Sequence, residues 1–123
     1  MDWDLENFRE DGTRVCSMAD AILFVGDRWS LHVVREIGSG VRRFNAIQQR
    51  TGAPREMLTT RLRKLESSGV ITRTAYSQRP PRYEYELTEA GEELIPVMAA
   101  LYAWGKKYAT PLLTTDATEN RSS

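Results

Sequence analysis

The chain has 123 residues, 41% of them apolar, with one cysteine, one histidine and no net charge. That length suits one domain; a lone Cys16 excludes an internal disulfide scaffold, and one His with one Cys excludes a four-ligand zinc site within the chain. No run approaches the roughly 20 apolar residues that span a bilayer, and the acidic Met-Asp-Trp-Asp start is unlike a secretory signal, so a cytoplasmic protein with no membrane partner is expected.

Residues 1–14 are polar and aperiodic, and an irregular arm is expected there. From Cys16 to Val25, Met18, Ala21, Ile22 and Val25 fall on one face of a helix that Gly26-Asp27 ends. A second helix is predicted from about Ser30 to Ile37, with Leu31, Val34 and Ile37 on one side, stopped by Gly38-Ser39-Gly40. Arg42-Arg43-Phe44 leads, as a short extended piece, into a third helix over about Asn45–Arg50, with Gly52 where a left-handed cap belongs. Pro54 opens a fourth helix at a first-turn position, where its missing N–H costs nothing; Leu58, Leu62 and Leu65 form its apolar stripe and Gly69 closes it.

Val70–Tyr76 is rich in β-branched residues, and Arg82–Leu87 alternates charge with Tyr and Leu. Together they predict a β-hairpin whose packed face carries Tyr83 and Tyr85. The two prolines in Ser77-Gln78-Arg79-Pro80-Pro81 are expected to stop ladder pairing at the tip and to stiffen it. Thr88 is an N-cap candidate for the last helix, which Pro96 is expected to kink or break into a short and a longer piece. Leu94, Met98, Leu101, Gly105 and Tyr108 then follow at heptad-like spacing, with Tyr102 and Trp104 beside them. The Thr/Asp/Asn/Ser-rich end is expected to be disordered, so the expected division is an arm at 1–14, a domain at 15–110 and a tail at 111–123.

This order of elements is mainly α with one hairpin, a winged helix-turn-helix. The third and fourth helices, joined by Thr51-Gly52-Ala53, form the helix-turn-helix unit. Charge agrees with that assignment. Between Arg28 and Arg82 stand twelve cationic residues and three acids, so the net charge is +9 there and −9 in the rest, a polarity suited to holding a polyanion on one face. The second helix of such a unit enters the major groove of double-stranded DNA. With its leucines inward, the fourth helix presents Arg55, Glu56, Thr59, Thr60, Arg63 and Ser67. Arg55 and Arg63 suit guanine, and Thr59 and Thr60 suit base edges or thymine methyls. Arg42, Arg43, Lys64 and Arg73, with Arg79 and Arg82 at the wing tip, are candidates for phosphate. No hydrolase elbow, phosphate-binding loop or metal cluster is present, so no enzyme activity, cofactor or metal is expected. A winged helix used only for protein–protein contact is the competing reading.

The chain resembles the HxlR-type transcriptional regulators. The resemblance lies in Cys16, Gly26-Asp27-Arg28-Trp29-Ser30-Leu31, Arg42-Arg43-Phe44-Asn45, Met57 through Glu66, Gly69-Val70-Ile71, Pro80 through Tyr85, Leu87 through Gly91, and Trp104-Gly105, covering about Cys16 to Tyr108. It implies a winged-helix homodimer, built by the first and C-terminal helices, that binds an inverted-repeat (palindromic) operator. The resemblance also makes Cys16 a candidate redox sensor, although Ser17 follows it where the family typically has proline. Ala53 stands where a Ser is common, which implies a weaker cap on the fourth helix. The dimer interface is expected at Leu94, Met98, Leu101, Tyr102, Trp104 and Tyr108. A small-molecule effector between the subunits would meet Tyr102, Trp104 and Tyr108.

Overall fold

The computed structural model describes residues 7–114. The elements run α1 (Ser17–Val25), α2 (Ser30–Gly38), α3 (Phe44–Thr51), α4 (Arg55–Ser67), β1 (Ile71–Gln78), β2 (Pro81–Leu87), α5 (Glu89–Glu92) and α6 (Leu94–Trp104). A π-helical turn at Gly105–Ala109 and helical residues 110–114 extend α6. Helix thus continues through four residues assigned to the tail by composition; residues 115–123, where disorder was expected, lie outside the described residues, as do 1–6 of the arm.

The core is one cluster from five elements. Val33, Val34 and Ile37 of α2 meet Ile47 of α3, Leu58, Leu62 and Leu65 of α4, Ile71 of β1 and Tyr85 of β2. The leucines of α4 repeat at intervals of four and three, which places them on one helical face, and all three are buried. Burying each such side chain contributes about 1.5–3 kcal/mol, so α4 is anchored by its inner stripe while its outer face stays free.

β1 and β2 pair antiparallel from Ile71↔Leu87 to Gln78↔Pro81, with a bulge between Ala75 and Ser77. Pairing therefore runs through Pro81 to the tip, contrary to the expectation that the prolines would stop it. Pro81 is the first residue of its strand, where the lack of an N–H is tolerated. Only Arg79 and Pro80 make the turn, and the peptide bond between them is cis. Residues 42 and 43 run alongside β2 and join it through an isolated bridge. The Tyr85 N–H donates to the Arg42 carbonyl at 2.8 Å, and Arg43 bridges to Glu84.

From residue 7 on, the arm makes specific contacts that its composition does not suggest. Asn7 and Val15 are joined by a backbone hydrogen bond of 2.8 Å and Phe8 bridges to Arg14. Arg9 grips both carboxylate oxygens of Asp20 on α1, at 2.7 and 2.6 Å.

Thr88 caps α5 as expected, its hydroxyl accepting from the Gly91 N–H at 3.2 Å. Gly91 lies so close to β1 that a Cβ there would sit 2.3 Å from the Val70 carbonyl oxygen, so glycine is what allows α5 to lie against the hairpin base. The helix break falls at Glu93, and Pro96 is the third residue of α6, still within the first turn, where its missing N–H has no intrahelical partner to lose.

Candidate nucleic-acid interface

The turn between α3 and α4 is set by Gly52, whose φ of +74° is a left-handed conformation that glycine adopts at no steric cost. Its N–H donates to the Gln48 carbonyl at 2.8 Å. Ala53 is buried there, and the N-cap of α4 is Pro54, not Ala53. A Ser at 53 would therefore not occupy the capping position that the resemblance implied for it.

From this turn α4 projects an exposed row of Arg55, Glu56, Thr60, Arg63 and Ser67, with the half-exposed Thr59 between that row and the hairpin. The hydroxyls of Thr59 and Thr60 donate to the carbonyls of Arg55 and Glu56, each at 3.0 Å. Their protons are thus spent within the helix, leaving methyl groups and acceptor lone pairs for a ligand. Lys64 lies on the other flank and is half-buried.

Between the start of α4 and the hairpin runs an open groove of about 630 Å³, lined by Arg43, Phe44, Asn45, Arg55, Tyr76 and Arg82 among others. A second hollow of about 170 Å³ continues along α4 past Thr59, Arg63 and Glu66 to Arg73. Residues distant in sequence, from the Arg43 segment, α4 and the hairpin, thus share one concave basic surface.

The arginines differ in how far they are committed. Arg42 bonds Glu86 at 2.8 Å and Arg43 bonds Glu84 at 3.1 Å. Arg73 pairs with Glu66 at 3.1 Å and lies 4.1 Å from the centre of the Tyr83 ring. Arg61 faces inward, paired to Asp27 at 2.9 Å. Among the described residues, Arg55, Arg63, Lys64, Arg79 and Arg82 form no ion pair. Arg55 instead lies over the Phe44 ring, 5.1 Å from its centre.

Asp27 is the hidden support of this surface. Its carboxylate accepts from the N–H groups of Trp29 and Ser30, each at 3.0 Å, and from the Ser30 hydroxyl. Burial opposes its ionisation, but these bonds and the Arg61 guanidinium outweigh burial and hold its carboxyl below the usual carboxylate range. One side chain therefore starts α2 and ties it to α4. From sequence Asp27 stands only as a helix end and as part of the family resemblance; an Asp just ahead of an apolar helical run was the available signal. Tyr76, which lies under Arg43 at 4.0 Å, was also missed, because the bulge beside it breaks the alternation that locates strand faces.

The expected dimer residues divide. Leu94 and Met98 are half-buried and pack on the core of their own chain. Leu101, Tyr102, Trp104 and Tyr108 are exposed, with Ile95, Val97, Leu112 and Leu113. Trp104 and Tyr108 are in ring contact, 5.7 Å between centres. On α1, Met18, Ile22, Leu23 and Phe24 are exposed. Cys16 is a free, half-buried thiol at the N-cap of α1.

A family model, HxlR-like helix-turn-helix, matches residues 24–112. The chain belongs to this family. An HTH-type transcriptional regulator of Mycobacterium tuberculosis is 44% identical over 92 residues, covering 75% of this chain and 58% of that protein. The HxlR-like chain thus matches less than two thirds of the length of that relative. An HTH-type transcriptional regulator of Methanothermobacter thermautotrophicus is 42% identical over 101 residues, 81% of this chain and 77% of the relative. Among solved structures, the redox regulator HypR in its reduced form superposes with a TM-score of 0.71 at 30% identity, covering 80% of this chain and 98% of HypR. The reduced form of the regulator YodB from B. subtilis gives 0.67 at 28% identity, with 79% and 97% covered. The winged helix-turn-helix expected from the sequence is the fold of this HxlR-like chain. Among its described residues, no helix is long and apolar enough to cross a membrane.

Proposed function

We propose that the chain is a transcriptional regulator that binds an inverted repeat in double-stranded DNA as a homodimer, with α4 in the major groove and the wing along the flanking backbone. The observation that carries this reading is the groove between α4 and the hairpin, where Arg55 and Arg82, both without an acidic partner among the described residues, face a cavity with Arg43. Phosphate contacts release counterions, so the logarithm of affinity falls by about 0.9 per neutralised phosphate for each tenfold rise in salt. The expected result is a steep salt dependence with duplex DNA. A flat response would favour the protein-docking alternative. In this reading residues 15–110 form the working domain, the preceding residues are an arm and those from 111 a tail.

The second copy is supported by the apolar surface on α1 and α6. Single exposed hydrophobic side chains are ordinary on a protein surface, but here no residue of either helix is fully buried, only Val25, Leu94 and Met98 pack against the core, and exposed apolar patches mark interfaces. Sedimentation at micromolar concentration is expected to give the mass of a dimer, and Leu101→Glu is expected to shift it toward the monomer. A monomer before substitution would overturn the proposal.

HypR and YodB supply a reason to test Cys16. If its thiol reports oxidants, any disulfide must be intermolecular or formed with a small thiol, since there is no second cysteine. Oxidant is then expected to change duplex affinity in the parent chain and to leave Cys16→Ser unaffected; an equal response in both would dismiss the thiol. A small-molecule effector seated beside Tyr102, Trp104 and Tyr108 would raise the melting temperature in a thermal-shift screen.

A further inference from the structure

We infer that Glu84 is a resident competitor for DNA phosphate, lowering the phosphate-driven part of affinity by occupying Arg43. The inference rests on the DNA-binding reading above. Arg43 donates from Nη2 to Glu84 Oε1 at 3.1 Å, and its guanidinium lies 4.0 Å from the centre of the Tyr76 ring. The main chains of the same two residues form an antiparallel bridge. Backbone register, rather than a mobile loop, therefore delivers the carboxylate to the arginine.

Arg43 lines the basic groove together with Arg55 and Arg82. Glu84 itself lines the adjoining hollow with Arg42, Arg43 and Arg50. Both partners are accessible, with 59% of the Arg43 and 32% of the Glu84 side chain exposed, and pairs this open contribute little to folding. Their effect falls on a ligand instead. A phosphate that approaches Arg43 must displace the Glu84 oxygen or share the guanidinium with it, and it meets a like charge while doing so. Tyr76 holds the guanidinium in place while the acceptor is exchanged. Every duplex presents phosphates whatever its sequence, so Glu84 weakens the sequence-independent component that governs time spent on arbitrary DNA. Arg55 and Arg63, which have no acidic partner among the described residues, escape this attenuation.

The test is titration of the full chain with a random-sequence duplex across a salt series, for the parent, Glu84→Gln, Arg43→Ala and the double variant. Glu84→Gln keeps size and a hydrogen-bond acceptor, and thermal melting would check that it folds as the parent does. The expected result is a five- to tenfold gain in affinity at low salt and a log–log slope steeper by about 0.9, one more phosphate neutralised. In the Arg43→Ala background the same substitution should give no gain. Weaker or unchanged binding by Glu84→Gln, or a gain that persists without Arg43, would overturn the inference and leave Glu84 as an orienting or a merely acidic group. A parent chain with no salt-dependent duplex binding would instead bring down the DNA reading, a failure visible before any variant is compared.

Discussion

Alanine at both Arg55 and Arg63 is expected to weaken operator binding by about 10²–10³-fold while moving the melting temperature by no more than about 3 °C. A bidentate arginine–guanine contact discriminates by about 1–3 kcal/mol, and each 1.4 kcal/mol is tenfold in affinity, so two such contacts reach this range. The stability of the variant follows from placement. Both side chains are exposed on the outer row of α4, and neither has an acidic partner among the described residues. The lost packing is confined to that of Arg55 over Phe44. Single variants divide the roles. Arg63→Ala should relax sequence preference, whereas Lys64→Ala, on the flank, should weaken binding to all sequences alike. Filter-binding or fluorescence titrations on selected and random duplexes measure both quantities. A double variant with parental affinity would remove α4 from the interface.

Replacing Asp27 by alanine is expected to cost about 2–4 kcal/mol of stability. Three donors at the start of α2 lose their acceptor, and Arg61, which is largely shielded from solvent, loses its counter-charge. Loss of a helix cap alone costs about 0.5–2 kcal/mol, and breaking a buried pair from one side costs about 3–5, so a partly buried case falls between. The dependence on pH has a definite sign. Asp27 ionises below its ordinary value of 3.8 in the folded chain, so the unfolded chain binds the proton more readily. The stabilisation is therefore complete above about pH 5 and is lost as pH falls below the unfolded value through the folded one. Asp27→Asn keeps an acceptor but not the charge. Urea titrations should show a gap between the parent and Asp27→Asn at pH 7 that closes toward pH 3. An equal gap at both would show that the charge is not what stabilises.

Periodicity made the architecture legible. The four-three spacing of Leu58, Leu62 and Leu65 matches the stripe that α4 buries, and the alternation through β2 turns Tyr83 and Tyr85 inward and leaves Glu86 exposed. Local chemistry placed the Thr88 cap and the left-handed Gly52. What was not legible depends on contacts between distant segments. Arg42 and Arg43 read as free cations, because their partners Glu86 and Glu84 stand 44 and 41 positions later. Arg61 read as one more surface charge, although it is turned inward to Asp27. Leu94 and Met98 share a repeat with Leu101, but the first turns of α6 lean on α2, so the repeat serves two different surfaces. A period says that a helix has an apolar face, not which neighbour that face meets.

The widened turn at Gly105–Ala109 changes what the last helix can present. A π-helical turn closes its hydrogen bonds one residue later than an α-helical turn, so it absorbs about one additional residue. Each residue of an α-helix advances about 100° around the axis and only 1.5 Å along it. The segment beyond Ala109 is therefore set out of phase with the segment before Gly105 by roughly a quarter turn, at almost no change in reach. Leu112 and Leu113 point where that phase offset sends them, and gain or loss of one residue in this turn would redirect them without lengthening the rod.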